Sequence, residues 1–331
     1  MTGPDKADAE RAAMIGVPTT ATEPESPNPI AAIELTEEGR SEIIEKLSLL
    51  VPTVDSVTWA LLWLSDLNRL KWLLNLDKGL IWAVLSAPNH RSLLYWAGRA
   101  RPTEDPEASY IPRRSEEIRA TCLERDEYCA ITKKDEPLEV AHIYPYSLMT
   151  RSGSERDAFW SMLCNFWDAD QIQRWKRVVL GPEGTEVLQN MLCLSHDCHG
   201  LWGMARFALQ PVELSEDQKV LKMRFFWLPA AKFSKSVPVT RRPSLPSDLR
   251  HVGKQTKLFN CATSAQICSG DIITIKTTDP ENYPLPSLEI LGLQWTLTRV
   301  LAMSGAADID PEELDSDSDE EQGIDTQSVD S

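Results

Sequence analysis

Three of the chain's five histidines and five of its seven cysteines fall between Cys122 and His199. These are the residue types that move protons, hold metals or attack as nucleophiles, and the two segments carrying them restrict the local fold. In residues 122–147, the run Leu138-Glu-Val-Ala-His142 reads as a short strand ending at Ile143-Tyr144-Pro145. Alternation along a strand places His142 with Val140 on one face and Glu139 with Ala141 on the other. In residues 190–211, Met191 to Leu194 is a second short apolar strand, opened by Asn190 and followed by Ser195, a helix-capping residue. His196 and His199 then lie three apart, on one face of a first helical turn. A strand ending on His, a second strand opened by Asn and a helix bearing His make a ββα unit, so the fold class is α+β.

These residues resemble the HNH nuclease domain, a ββα-metal fold, with His142, Asn190 and His199 at its three signature positions. The similarity is greatest to a variant found in many filamentous fungal proteins. Its first half is Ala141-His142-Ile143-Tyr144-Pro145. Its second half runs from Asn190 to Leu194 and on through Asp197-Cys198-His199-Gly200-Leu201-Trp202. Arg125-Asp126, Cys129-Ala-Ile-Thr132 and Phe207-Ala-Leu-Gln-Pro211 fit the same variant, and similarity to that group extends towards residue 305.

The resemblance implies a metal-dependent endonuclease that hydrolyses phosphodiesters in nucleic acid, DNA ahead of RNA. Such a reaction needs a base for water and a cation for the charge that builds on phosphorus oxygens and the leaving group. An imidazole with an ordinary pKa of about 6.5 is mostly neutral near physiological pH, which suits His142 to the role of base. Asn190 cannot act as a base; the resemblance makes it a brace that orients the catalytic His. His199 is expected to give a neutral nitrogen to one divalent ion, Mg²⁺, Mn²⁺ or Zn²⁺. Many HNH enzymes have Asp or His immediately before the base, and here that residue is Ala141. A further ligand must then come from Asp197 first, His196 second or Glu139 third. Gly203 replaces an acidic or Asn residue of the variant. The alternative is a catalytically inactive HNH-like scaffold that binds nucleic acid or protein. A rival use of the cysteines is a zinc knot built from Cys193, Cys198 and His199 with Cys122 or Cys129.

Around this region, predicted to run over 114–229, the chain divides by composition. Residues 1–30 are polar and lack periodic apolar positions, and 308–331 is an acidic Ser/Asp run, so both ends read as disordered tails. Residues 35–100 carry Ile, Leu and Trp at helical spacing, with a start signal at Thr36, and read as a helical unit. Phe159, Trp160, Phe166, Trp167 and Trp175 predict an amphipathic helix packed over the ββα unit. The cluster Pro238, Pro243 and Pro246 reads as a linker over 236–252. The segment 253–305 is expected to pack on the body through a strand at 271–277 and a helix at 287–303, with Leu288, Leu291, Trp295 and Val300 on one face.

The net charge is -16, but the eleven acidic residues from Asp308 to Asp330 account for most of it. The body is close to neutral, which excludes binding of nucleic acid or membrane by bulk charge and leaves room for a local basic surface. Arg174, Lys176, Arg177 and Arg125 are the candidates for phosphate contacts. No stretch is apolar for long enough to span a membrane. The polar N-terminus lacks a secretory leader, so the expectation is an intracellular protein, cytoplasmic or nuclear, with free thiols or metal ligands.

Overall fold

The computed structural model describes residues 31–98, 115–182 and 184–309. Most of both predicted tails lies outside them, although Asp308 and Ile309 are described. Asp308 takes two hydrogen bonds from Arg206, at 2.7 and 2.8 Å, and Ile309 is buried.

Residues 35–98 form five short helices: α1 (Arg40–Ser48), α2 (Ser56–Leu64), α3 (Leu67–Leu74), α4 (Lys78–Leu85) and α5 (Asn89–Trp96). Helix α1 does not start on Thr36, whose hydroxyl bonds back to the Ile33 carbonyl; Gly39, with φ +84°, precedes it. Helix α2 is capped by Asp55, which accepts from the backbone N–H groups of Val57 and Thr58, and every one of its residues is buried. A helix apolar on all sides needs neighbours on all sides.

The main neighbour is the C-terminal helix α11 (Leu288–Ser304), which also packs against a three-stranded antiparallel sheet. That sheet has the order β4 (Phe207–Leu214), β5 (Val220–Trp227), β7 (Ile272–Lys276). The single-face pattern expected for α11 is therefore incomplete: every residue from Ile290 to Ser304 except the half-buried Gly292 is buried. Its buried Arg299 is neutralised by Glu34, with N···O distances of 2.9 and 2.8 Å. Burial alone would raise the Glu34 pKa, but the charge and hydrogen bonds of Arg299 hold it below the usual carboxylate value.

Gly305 ends α11 at φ +76°, and a Cβ there would overlap the backbone of Lys232 and Phe233. Both the left-handed backbone and the close approach exclude a side chain. Gly305→Ala is expected to destabilise the fold by about 2–3 kcal/mol in urea titrations.

The segment expected as a linker is instead part of the body. Strand β6 (Val237–Pro238) pairs with β1 (Thr53–Val54), and Val237 and Val239 are buried. The indole N–H groups of Trp59 and Trp63 donate to the carbonyls of Arg241 and Val239. Proline removes donors from an extended chain but leaves its carbonyls to be docked in this way. One continuous core links residues of all these segments, from Ala31 to Ile309.

Between α5 and the sheet lie α6 (Glu116–Asp126), β2 (Leu138–His142), α7 (Tyr146–Met149), α8 (Gly153–Phe166), α9 (Ala169–Val179), β3 (Met191–Ser195) and α10 (His196–Gly203). The aromatic spacing read as one helix resolves into α8 and α9, broken at Trp167-Asp168. Helix α8 carries a reciprocal capping box between Ser152 and Glu155.

Candidate active site

Strands β2 and β3 pair antiparallel from Leu138↔Ser195 to His142↔Met191. That register brings the end of β2 beside the residue preceding β3, so His142 and Asn190 are neighbours although 48 positions separate them. The Ile143 N–H donates to the Asn190 carbonyl at 2.8 Å. Helix α10 follows β3 without a loop. Its first turn therefore lies at the opposite end of the hairpin, against Glu139.

Asn190 is fully buried, and its side chain joins two segments. Its Oδ1 accepts from the Tyr144 N–H at 2.7 Å, while its Nδ2 donates to the carbonyls of Tyr144 at 3.2 Å and Thr185 at 3.0 Å. Thus the turn after His142 is tied to the loop before β3. On that loop lies Glu186, whose Oε1 is 2.6 Å from His142 Nε2. Glu186 was not among the sequence candidates. A carboxylate four residues before Asn190, in a loop, has no period or motif to mark it.

Glu139 reaches α10. Its Oε1 is 2.8 Å from His196 Nδ1, and its Oε2 makes a short contact with His199 Nδ1. Hydrogen bonds from His196 and then His199 hold the Glu139 carboxyl below its usual pKa, and the Glu139 hydrogen bond raises that of His196. His142 and His199 both line one open cleft of about 220 Å³, floored by Val140 and Ile143 and walled by Tyr146, Trp202 and Gly203. Asp197 is exposed and acts on the Glu139 cluster through its charge, which adds to the rise in the His196 pKa, and Ala141 is packed into the core.

The basic candidates separate. Arg125 is 7% exposed, and its five N–H donors go to Asp126 and to the carbonyls of Leu188, Met191 and Pro284, leaving none for a phosphate. On α9, Arg174 pairs with Glu289 at 3.5 Å, the Lys176 ammonium lies over the Trp160 ring, and Arg177 is exposed.

The cysteines form two pairs rather than one knot. Cys122 and Cys193 are 3.7 Å apart, sulfur to sulfur, in a small apolar cluster, whereas Cys129 and Cys198 are buried in the main core. Among the described residues, Cys122, Asp126 and Cys193 do bring three metal-ligand atoms within 4.8 Å of one another. The Arg125 guanidinium already supplies a cation to this group, bonding both Asp126 oxygens and lying 3.6 Å from the Cys122 sulfur.

Residues 129–210 match the HNH endonuclease family. The chain carries an HNH nuclease domain. The match spans a quarter of the chain, from the Cys129 turn through both halves of the ββα unit into β4, and includes α8 and α9 between them. No curated protein and no solved structure matches the chain. The HNH domain makes nucleic acid the expected substrate class. Among the described residues no helix is long and apolar enough to cross a membrane.

Proposed function

We propose that this protein is a metal-dependent endonuclease, acting on DNA in preference to RNA, with His142 as general base. The single observation carrying this reading is that His142 and His199, both within the region matched to the HNH endonuclease family, face one solvent-open cleft. Glu139 and His199 are the residues to hold a divalent ion, with His196 beside them. A carboxylate oxygen and imidazole nitrogens that are partly open to solvent, one of them from His199 of the cleft, suit an ion that keeps other positions for water or phosphate oxygen. Such an ion supplies charge stabilisation to the phosphorane and the leaving oxygen. His142 takes the proton of the attacking water, Asn190 fixes the turn that carries His142, and the basic end of α9 (Arg174, Lys176, Arg177) meets the phosphate backbone.

The test is nicking of supercoiled plasmid by the full chain with Mg²⁺, Mn²⁺ or Zn²⁺. His142→Ala is expected to lower the rate by roughly 10²–10⁴-fold, the range for loss of a general base, in a protein that remains folded. Undiminished nicking by that variant refutes the assignment of the base.

Ala141 and Gly203 favour a second reading, a non-catalytic module on the same scaffold. Calorimetric titration separates the two. Ion binding that Glu139→Ala abolishes supports the nuclease, whereas no binding, or stoichiometric zinc unaffected by that change, supports the module.

A further inference from the structure

Glu186 is held at both carboxylate oxygens. Its Oε1 lies 2.6 Å from His142 Nε2, and its Oε2 accepts the Ser115 backbone N–H at 3.1 Å. Ser115 is itself fixed as the N-cap of α6, its hydroxyl accepting from the Ile118 N–H. The Glu186 side chain is 17% exposed and that of His142 10%. Withdrawing an acidic group this far from water is unfavourable unless its partners are well placed. The placement is reinforced by Asn190, which holds the carbonyl of Thr185, next to Glu186, and both backbone groups of Tyr144, two residues past His142. One amide therefore clasps the two segments that carry the carboxylate and the imidazole.

We infer that Glu186 is a positioning residue for the hydrolytic base, fixing the tautomer and ring orientation of His142. This rests on the nuclease reading above. A carboxylate accepts, so the His142 nitrogen facing it carries the hydrogen, and the neutral ring then has its lone pair at Nδ1. In the reaction the proton passes from the attacking water to Nδ1, and the water oxygen bonds to phosphorus as the bond from phosphorus to the leaving oxygen breaks. That oxygen takes a proton from solvent, and the hydrogen at Nε2 stays on His142. The ring becomes an imidazolium, and the adjacent carboxylate stabilises the new charge through a charge-assisted hydrogen bond. Glu186 touches neither substrate nor reacting atoms; it acts through His142. Gln at this position keeps the shape and an acceptor for Ser115 but loses the charge and the tautomer preference, since an amide can either donate to Nε2 or accept from it.

The experiment compares wild type and Glu186→Gln as full chains, in single-turnover plasmid nicking and by ¹⁵N NMR of the imidazoles. Wild type is expected to show His142 as the Nε2–H tautomer and the variant a mixture of tautomers. The maximal rate is expected to fall roughly 100-fold, while the protein concentration giving half-maximal rate changes by less than about 2-fold. Unchanged rate and unchanged tautomer in the variant overturn the role of Glu186. A parallel loss of apparent affinity and thermal stability also overturns it, because that pattern marks a merely structural contact. A wild-type chain that nicks nothing with any of the three ions sinks the nuclease reading instead, and so is distinguishable from either result.

Discussion

Arg125→Ala is expected to destabilise the whole body by about 3–5 kcal/mol in urea titrations, the usual consequence of breaking a buried ion pair. The Arg125 side chain is fully buried, and that of Asp126 is 1% exposed. Removing the guanidinium leaves a buried carboxylate with the Cys193 N–H and the Cys122 thiol as its hydrogen-bond donors among the described residues, and strands the carbonyls of Leu188, Met191 and Pro284. Each stranded carbonyl adds its own desolvation penalty. The acceptors come from α6, from the start of β3 and from the turn before α11, so the loss is not confined to one element. Arg125→Lys separates charge from geometry. A lysine has three donors on one nitrogen and cannot reach acceptors arranged around a planar fork, so most of the loss should remain. A variant as stable as wild type that only binds nucleic acid less tightly would return Arg125 to the phosphate-contact role expected from the sequence.

Arg125 also shows where sequence reading succeeds and fails. Its charge and proximity to the ββα unit suggested phosphate, but nothing in a linear pattern distinguishes a surface Arg from one that donates to its neighbour Asp126 and to carbonyls 63, 66 and 159 positions away. The hairpin and its following helix were legible because their defining residues sit at element ends: His142 closes β2, Asn190 precedes β3 and Ser195 precedes α10. Helix α11 was legible in position but not in burial. Periodicity reports the strongest apolar face, and α11 is enclosed by β4, α2 and α9 together. The β4–β5 hairpin leaves a usable trace in the sequence, since buried Leu221, Met223 and Phe225 alternate with Lys222 and Arg224. The Pro-rich stretch misled because proline marks a chain that cannot join a sheet interior. It does not say whether that chain floats or, as here, is strapped down by two tryptophan indoles. Among the ligand candidates, spacing ranked Asp197 ahead of Glu139. Strand register makes the difference, since it points Glu139 across to α10 while Asp197 faces outward from the first turn.

Asn190→Ala is expected to remove nicking activity and about 2–4 kcal/mol of stability together. The substitution leaves three buried backbone groups, the Tyr144 N–H and the carbonyls of Tyr144 and Thr185, without their partner. Freed from this clasp, the His142 turn and the Glu186 loop can drift, and a displacement of about 1 Å at a catalytic group is enough to slow a reaction roughly 100-fold. Asn190→Asp is the sharper probe. It keeps an oxygen for the Tyr144 N–H but turns a second one towards two carbonyl oxygens, in a site with no solvent exposure. At neutral pH its stability should fall below even that of the Ala variant. Its carboxyl has a folded-state pKa raised by burial and by those carbonyls, so the deficit relative to wild type should shrink as pH falls into the carboxylate range, where a protonated oxygen can donate. Urea titrations of the three proteins at neutral and mildly acidic pH measure this directly. A pH-independent difference between Asp and wild type would mean that the Asn190 amide does not hold the two segments as described.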